Sequence, residues 1–257
     1  MVDKSSDYSL KRPDIYITSV EQLRDEKFFG TAYKAVSGER RTKADKLKFF
    51  DDKCRCIAAG LLLNYGLRMR HTDRLNTENS LDKHNRKQEE VIAVDLKEAV
   101  RDYDSSYDYK VSVTEKGKPY FTDYPDIHYS VTHSKSSAAC ALFDKPVGID
   151  MEGRRANSGS VAKRFFSDHE NIWIEDGASQ EERDRRFLRL WTLKEAYSKM
   201  TGEGIAACLN KIYFKPEGNS LVVDCDTVKL IPMDNLRLGI IEYETDGEQI
   251  SVIYKKY

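Results

Sequence analysis

Gly148-Ile149-Asp150-Met151-Glu152 follows a turn containing Pro146, and about 40 residues later the chain reads Trp191-Thr192-Leu193-Lys194-Glu195-Ala196-Tyr197-Ser198-Lys199. The first stretch has the length and apolar content of a strand. The period of two then places Asp150 and Glu152 on one face, about 7 Å apart, and Ile149 and Met151 on the other. Two carboxylates so spaced can share a hard divalent cation, or both can face water. The second stretch belongs to an amphipathic helix over 187–200, with Phe187, Leu190, Leu193, Tyr197 and Met200 on one side and Thr201-Gly202-Glu203-Gly204 as its stop. Glu195 and Lys199 are four apart and share a helix face. They read either as an ordinary surface pair or, because Leu188, Trp191 and Thr192 lie on the same side, as a half-buried carboxylate that calls for a cation.

Outward from this centre, His128–Thr132 reads as a strand, and Ser137–Phe143 with Val147–Glu152 reads as a hairpin closed by Asp144-Lys145-Pro146. Val161–Phe166 has helical character, and 175–186 reads as charged and exposed. Strand candidates follow at 211–214, 220–223, 237–243 and 250–254. Upstream, residues 14–18 read as a strand and 39–67 as a long helix whose second part, Ile57–Leu67, is apolar enough to be buried. Residues 70–90 have almost no apolar periodicity and read as a long surface connection. Lys116-Gly117-Lys118-Pro119 has turn chemistry that would aim lysines at solvent or a ligand. These elements predict an α+β protein of two halves, divided as 1–124 and 125–257.

The 257 residues carry 42 Lys and Arg against 43 Asp and Glu, a formal net charge of -1, with 33% charged and 40% hydrophobic residues. That balance predicts a water-soluble protein and argues against one that coats nucleic acid, whose phosphate contacts demand a basic excess. No apolar run is long enough to span a bilayer, and Met1–Ser6 lacks the apolar core of a signal peptide. Five cysteines, an odd number and few for the length, fit a reduced cytoplasmic compartment. Cys54 and Cys56 have no second Cys or His pair at zinc spacing and read as structural.

Two further features can carry chemistry. His133, just after a strand in Val131-Thr132-His133-Ser134, is either a hydrogen-bonded structural residue or a ligand group. The run from Arg40 to Arg55 holds Arg40, Arg41, Lys43, Lys46, Lys48, Lys53 and Arg55 against Asp45, Asp51 and Asp52, and is either a solvated helix face or a phosphate-binding surface. The chain has no Walker loop, dinucleotide fingerprint or G-x-S-x-G elbow, so a phosphate would be held by side chains and metal.

Taken together and in this order, Ser37–Arg55, Glu115–Phe121, Asp126–Ser134, Lys145–Glu152, Ala162–Ser167 and Leu190–Gly204 resemble the 4'-phosphopantetheinyl transferase superfamily, in its longer, monomeric surfactin-type class. A G-[IV]-D-x-E strand followed by W-x-x-K-E-A-x-x-K, with GKP and a His upstream, is a specific combination. The resemblance implies two similar pseudo-symmetric halves, each a small, mostly antiparallel sheet packed with helices. Coenzyme A would lie between the halves, its nucleotide on the N-terminal side and the metal on the C-terminal side. It implies Mg²⁺-dependent transfer of the phosphopantetheine arm of coenzyme A to a serine of an acyl or peptidyl carrier protein, releasing adenosine 3',5'-bisphosphate; Mn²⁺ is a possible substitute.

By the same resemblance, Asp150, Glu152 and Glu195 match the acidic metal ligands, and Lys199 and Lys194 match the lysines near the pyrophosphate. Arg40, Lys43, Lys118 and His133 fall where coenzyme A phosphates are bound, with Arg55 in the same helix. Thr132 stands where many relatives have Ser and keeps the hydroxyl, whereas Cys56 stands where many have Thr. Asp150, Glu195 and Lys199 are the implied catalytic residues: Glu195, or a water beside it, accepts the serine proton, and Lys199 stabilises charge on phosphate oxygens. Two rivals share the motifs: a homologue that binds coenzyme A or a carrier without turnover, and a metal-dependent pyrophosphate hydrolase.

Overall fold

The computed structural model describes residues 12–79, 91–153, 158–209, 211–224, 237–245 and 247–256. The fold is α+β, as expected, and is organised by two sheets that stack on each other. Strand β1 (Asp14–Ser19) lies inside a sheet of order β2-β1-β6-β5, with β2 (Ile92–Ala93), β5 (His128–His133) and β6 (Ser137–Phe143). β2 runs parallel to β1 and the other pairings are antiparallel. The second sheet, of order β10-β11-β7, joins β7 (Val147–Gly153), β10 (Leu238–Thr245) and β11 (Glu248–Lys255) in antiparallel register, with Asp150 opposite Ser251. Two small hairpins, β3 (Val111–Val113) with β4 (Pro119–Phe121) and β8 (Phe214–Glu217) with β9 (Ser220–Val223), stand apart from both sheets.

The expected hairpin of 137–143 with 147–152 does not form. Strand β6 already has β1 on one edge and β5 on the other, so no ladder edge remains for β7. The Asp144–Pro146 turn instead carries the chain from one sheet to the next. The two stack through Ile15, Ala139, Ala141 and Phe143 on one side and Ile149, Met151, Ile250 and Val252 on the other. The period-two reading of β7 therefore holds for its apolar face. The expected division at 124/125 does not separate the two sheets either, because β5 and β6 complete the sheet that contains β1.

The first sheet carries α3 (Phe50–Asn79), whose buried residues Ile57, Leu61, Leu62 and Leu63 fill the N-terminal core. The basic stretch ahead of it is a separate helix, α2 (Gly38–Asp45), capped by the Ser37 hydroxyl accepting from Arg40 N, so the single helix expected over 39–67 is broken at 46–49. Helix α3 also runs past residue 70 into the stretch read as a connection. Its buried face is anchored there by Arg70, which pairs with Asp14 of β1; 80–90 lies outside the described residues.

The second sheet carries α7 (Gln180–Thr201), which begins seven residues before the expected start because Ser179 caps it by accepting from Glu182 N and two acids sit in its first turn. It ends at Gly202, whose φ of 74° is left-handed. Gly148 is dictated by this packing: a Cβ there would lie 1.9 Å from Ala196 O and 2.5 Å from Met200 N, so only hydrogen lets the helix backbone reach the strand. Helices α5 (Ser158–Phe165) and α6 (Asp168–Glu175) flank α7. Among the described residues, no helix is long and apolar enough to cross a membrane.

Candidate active site

Strand β7 is an edge strand, so part of its backbone needs partners outside its own sheet. Ile149 N donates to Ser130 Oγ and Met151 N to Thr132 Oγ1, both at 3.1 Å. Two hydroxyls on β5 thus stitch the sheets together. The Thr132 hydroxyl spends its proton on Asp150 Oδ1, 3.2 Å away. From α7, Lys199 Nζ donates to the same oxygen at 2.7 Å. The other oxygen of this buried carboxylate, Oδ2, has no hydrogen-bond partner. Asp150 is therefore oriented from two sides with one lone-pair-bearing oxygen left open.

Beside Lys199 opens a cleft of about 610 Å³, bounded by α2, α3, the β3–β4 hairpin, β5 and the end of α7. Cations outnumber carboxylates among its lining residues: Arg40, Lys43, Arg55, Lys116, Lys118 and Lys199 against Glu39 and Asp52. A chain with net charge -1 thus concentrates positive potential in one concavity, which suits a small polyanion. Arg55 is paired with Asp52. Arg40 donates to Tyr109 Oη at 2.7 Å, and its stem lies over Gly60, where a Cβ would come within 2.8 Å of Arg40 Cγ.

Lys118 reaches from the β3–β4 turn to donate to Met200 O near the end of α7, and its Cβ lies against Gly202. Burial lowers its ammonium from the ordinary range to about 8. Lys116 reinforces the same junction through Glu203, 3.4 Å away. His133, at the end of β5, also faces the cleft. Burial first, then the charges of Arg55 and Lys199, hold its imidazole below the usual value, so it is neutral at pH 7 and can donate or accept.

Of the residues singled out by sequence, Arg40, Lys43, Arg55, Lys118, His133 and Lys199 line one cleft, although they come from five separate segments. The remaining five, Asp150, Glu152, Glu195, Thr132 and Lys194, are not among its lining residues. Thr132 is buried and fully engaged with Asp150 and β7; its contact runs to the carboxylate rather than to the cleft. Lys194 is 0% exposed. Its Nζ donates to Ile212 O at 2.7 Å and lies 3.1 Å from Glu170 Oε1, beneath the rings of Phe166 and Tyr213. That position inside the C-terminal core gives it no route to a phosphate, and the expectation for it is corrected. Lys116, the other lysine of the turn read as aiming at solvent or a ligand, lines the cleft with Lys118, and Tyr109 and Ser130 line it without having been singled out. Tyr109 lies in a polar Asp, Ser and Tyr stretch with no periodicity; Ser130 could have been found from its two-residue spacing to Thr132.

The donor set suits a hard cation at one point. Asp150 Oδ2 is a buried, unpartnered carboxylate oxygen, Glu152 lies two residues along the same strand, and Glu195 lies one turn before Lys199 on α7. Among the described residues, no three acidic, His or Cys side chains converge as a ready-made metal cluster. Mg²⁺ needs only one or two carboxylates when phosphate oxygens and waters complete its shell.

Residues 146–233 match the family model described as the 4'-phosphopantetheinyl transferase superfamily. The chain is 35% identical over 109 residues to a 4'-phosphopantetheinyl transferase of Bacillus subtilis, covering 42% of this chain and 48% of the relative. It is 36% identical over 109 residues to the gsp transferase of Aneurinibacillus migulanus, covering 42% and 45%. The psf-1 transferase of Bacillus pumilus aligns over 173 residues at 27% identity, covering 66% of this chain and 60% of the relative. The chain thus spans about half the length of the first two relatives. The segment 146–233 carries the superfamily's signature, and the chain is similar to the surfactin-type 4'-phosphopantetheinyl transferases.

Proposed function

We propose that the chain transfers the 4'-phosphopantetheine arm of coenzyme A to a serine hydroxyl of an acyl or peptidyl carrier protein, in a Mg²⁺-dependent reaction that releases adenosine 3',5'-bisphosphate. The observation that carries this reading is the cationic cleft, together with the buried, half-unpartnered carboxylate of Asp150 that the cleft-lining Lys199 holds behind it. Arg40, Lys43 and His133 offer donors for the 3'-phosphate, so a coenzyme lacking that phosphate should bind more weakly. Lys118 and Lys199 lie nearer α7 and would meet the pyrophosphate.

Asp150 would hold the ion, with Glu152 two residues along the same strand and Glu195 one turn before Lys199 as the further candidate ligands. A bound Mg²⁺ supplies charge neutralisation at the pyrophosphate, whose repulsion would otherwise slow attack by an oxygen nucleophile. In the transfer, the serine oxygen forms a bond to the β-phosphorus while the bond from that phosphorus to the bridging oxygen breaks. Glu195 takes the serine proton. Lys199, released from Asp150 onto the pyrophosphate, offsets charge on the departing adenosine 3',5'-bisphosphate.

The test is to incubate the protein with coenzyme A, Mg²⁺ and a panel of apo carrier proteins of fatty-acid, polyketide and peptide type, then weigh the intact carriers. The expected result is one added phosphopantetheine on at least one carrier, lost on chelation and restored by Mg²⁺. Tight coenzyme A binding with no modified carrier would overturn the transferase reading. Cleavage of coenzyme A at its usual rate without a carrier would replace it with a hydrolase.

A further inference from the structure

Two arginines line the cleft, and they are held differently. Arg55 sits against the carboxylate of Asp52, so part of its charge is already answered within the protein. Arg40 is held by neutral groups: the Tyr109 phenol, 2.7 Å from Nη2, and the Cys56 thiol, 3.9 Å from Nη1. Tyr109 itself is buried and wedged against Phe121, with ring centroids 4.9 Å apart. Phe121 stacks in turn on Tyr129 at 4.1 Å. The phenol therefore has a fixed place, and the arginine stem packs directly over Gly60, where a Cβ would come within 2.8 Å of Arg40 Cγ. Burial holds the phenol above its ordinary value, although Arg40 pulls the other way, so the partner stays uncharged. An uncharged acceptor orients a guanidinium without cancelling the charge that a polyanion would meet.

We infer that Tyr109 is a positioning residue that preorganises Arg40 to bind a phosphate group of the nucleotide in this cleft. The inference rests on the coenzyme A reading above and adds to it a residue outside every motif that carries that reading. Holding the fork in place before the ligand arrives removes the ordering cost of a long flexible side chain at binding. The gain is in nucleotide affinity, with little change in the rate of the bound complex.

The test is a double-mutant cycle on coenzyme A binding, measured by calorimetry with the full chain, using Tyr109→Phe, Arg40→Met and the pair. Tyr109→Phe keeps the ring and its packing and removes only the acceptor. It is expected to weaken coenzyme A binding by roughly five- to tenfold, to raise KM with kcat nearly unchanged, and to do nothing further in the Arg40→Met background. A purely structural role for the phenol would act equally in both backgrounds. Equal or tighter binding by Tyr109→Phe, or full additivity of the two substitutions, overturns the positioning role while leaving the coenzyme A reading intact. If the parent chain binds no coenzyme A, that reading falls first and the positioning role falls with it.

Discussion

Lys199 Nζ lies 2.7 Å from Asp150 Oδ1 and so joins α7 to β7 beside the cleft. The pair brings together the two sequence stretches about 40 residues apart that identify this chain's signature, with Thr132 completing the hold on Asp150 from β5. Replacing Asp150 by Asn preserves the shape and removes the charge that a lysine and a cation both require. Transfer to a carrier is expected to fall by at least about a hundredfold, with an unfolding midpoint close to the parent's. Near-normal transfer, read as the rate of carrier mass gain, would remove Asp150 from the chemistry.

Lys118 predicts a pH dependence. Its ammonium is lowered by burial to about 8, and a bound phosphate favours the charged form and raises that value. Binding then takes up a proton above pH 8, so affinity is flat below about 8 and falls by up to tenfold per pH unit above it. His128, which also faces Lys118, is lowered by burial first and then by Lys118, and is already neutral across this range. Adenosine 3',5'-bisphosphate is the better probe because it has no thiol to titrate. Calorimetry from pH 7 to 9.5 should show the fall, and Lys118→Met should flatten it.

Gly148 is a prediction of close packing. A methyl group at 148 would press on the backbone of α7 at 1.9 Å, where no side-chain rotation can relieve it. Gly148→Ala should cost about 3 kcal/mol or more, read as a shift of the denaturation midpoint. A stable Gly148→Ala protein would mean that α7 can move off β7 without penalty.

Lys194 and Glu170 are both 0% exposed and lie 3.1 Å apart. Glu170 also accepts from Phe214 N, and with Ser167 it forms the capping box at the start of α6. Removing one partner strands a buried charge, so Lys194→Met should destabilise by about 3–5 kcal/mol. The double variant Lys194→Met with Glu170→Gln should recover part of that loss in urea unfolding. Direct loss of coenzyme A affinity at unchanged stability would return Lys194 to the cleft.

Local features of the sequence announced a good part of this. The alternation in β7, the amphipathic α7 and its glycine stop are set by residues within a few positions of one another, and these elements formed with shifted ends. The hairpin of β6 with β7 was the natural local reading. It failed because competition for the edges of β6 is decided by β1, more than a hundred residues upstream. The helix expected over 39–67 is instead two, α2 ending at Asp45 and α3 starting at Phe50, and in this arrangement the Arg40 stem lies over Gly60, a contact that apolar periodicity does not report.

What the sequence by itself determined is the chemistry available: three acids at signature spacing, a basic run, a lysine turn and a histidine after a strand. Charge type and short-range periodicity are properties of the residues themselves. Only the tertiary structure decided which charges are exposed to a ligand. Lys199 reaches the cleft, while Lys194, five positions earlier on the same helix, is sealed in the core against Glu170, because a rotation of 100° per residue carries them to different sides of α7. The same long-range packing put Tyr109 beside Arg40, 69 residues away in sequence. Neither outcome is encoded in the spacing of neighbours. Both follow from which elements must bury their apolar faces against each other.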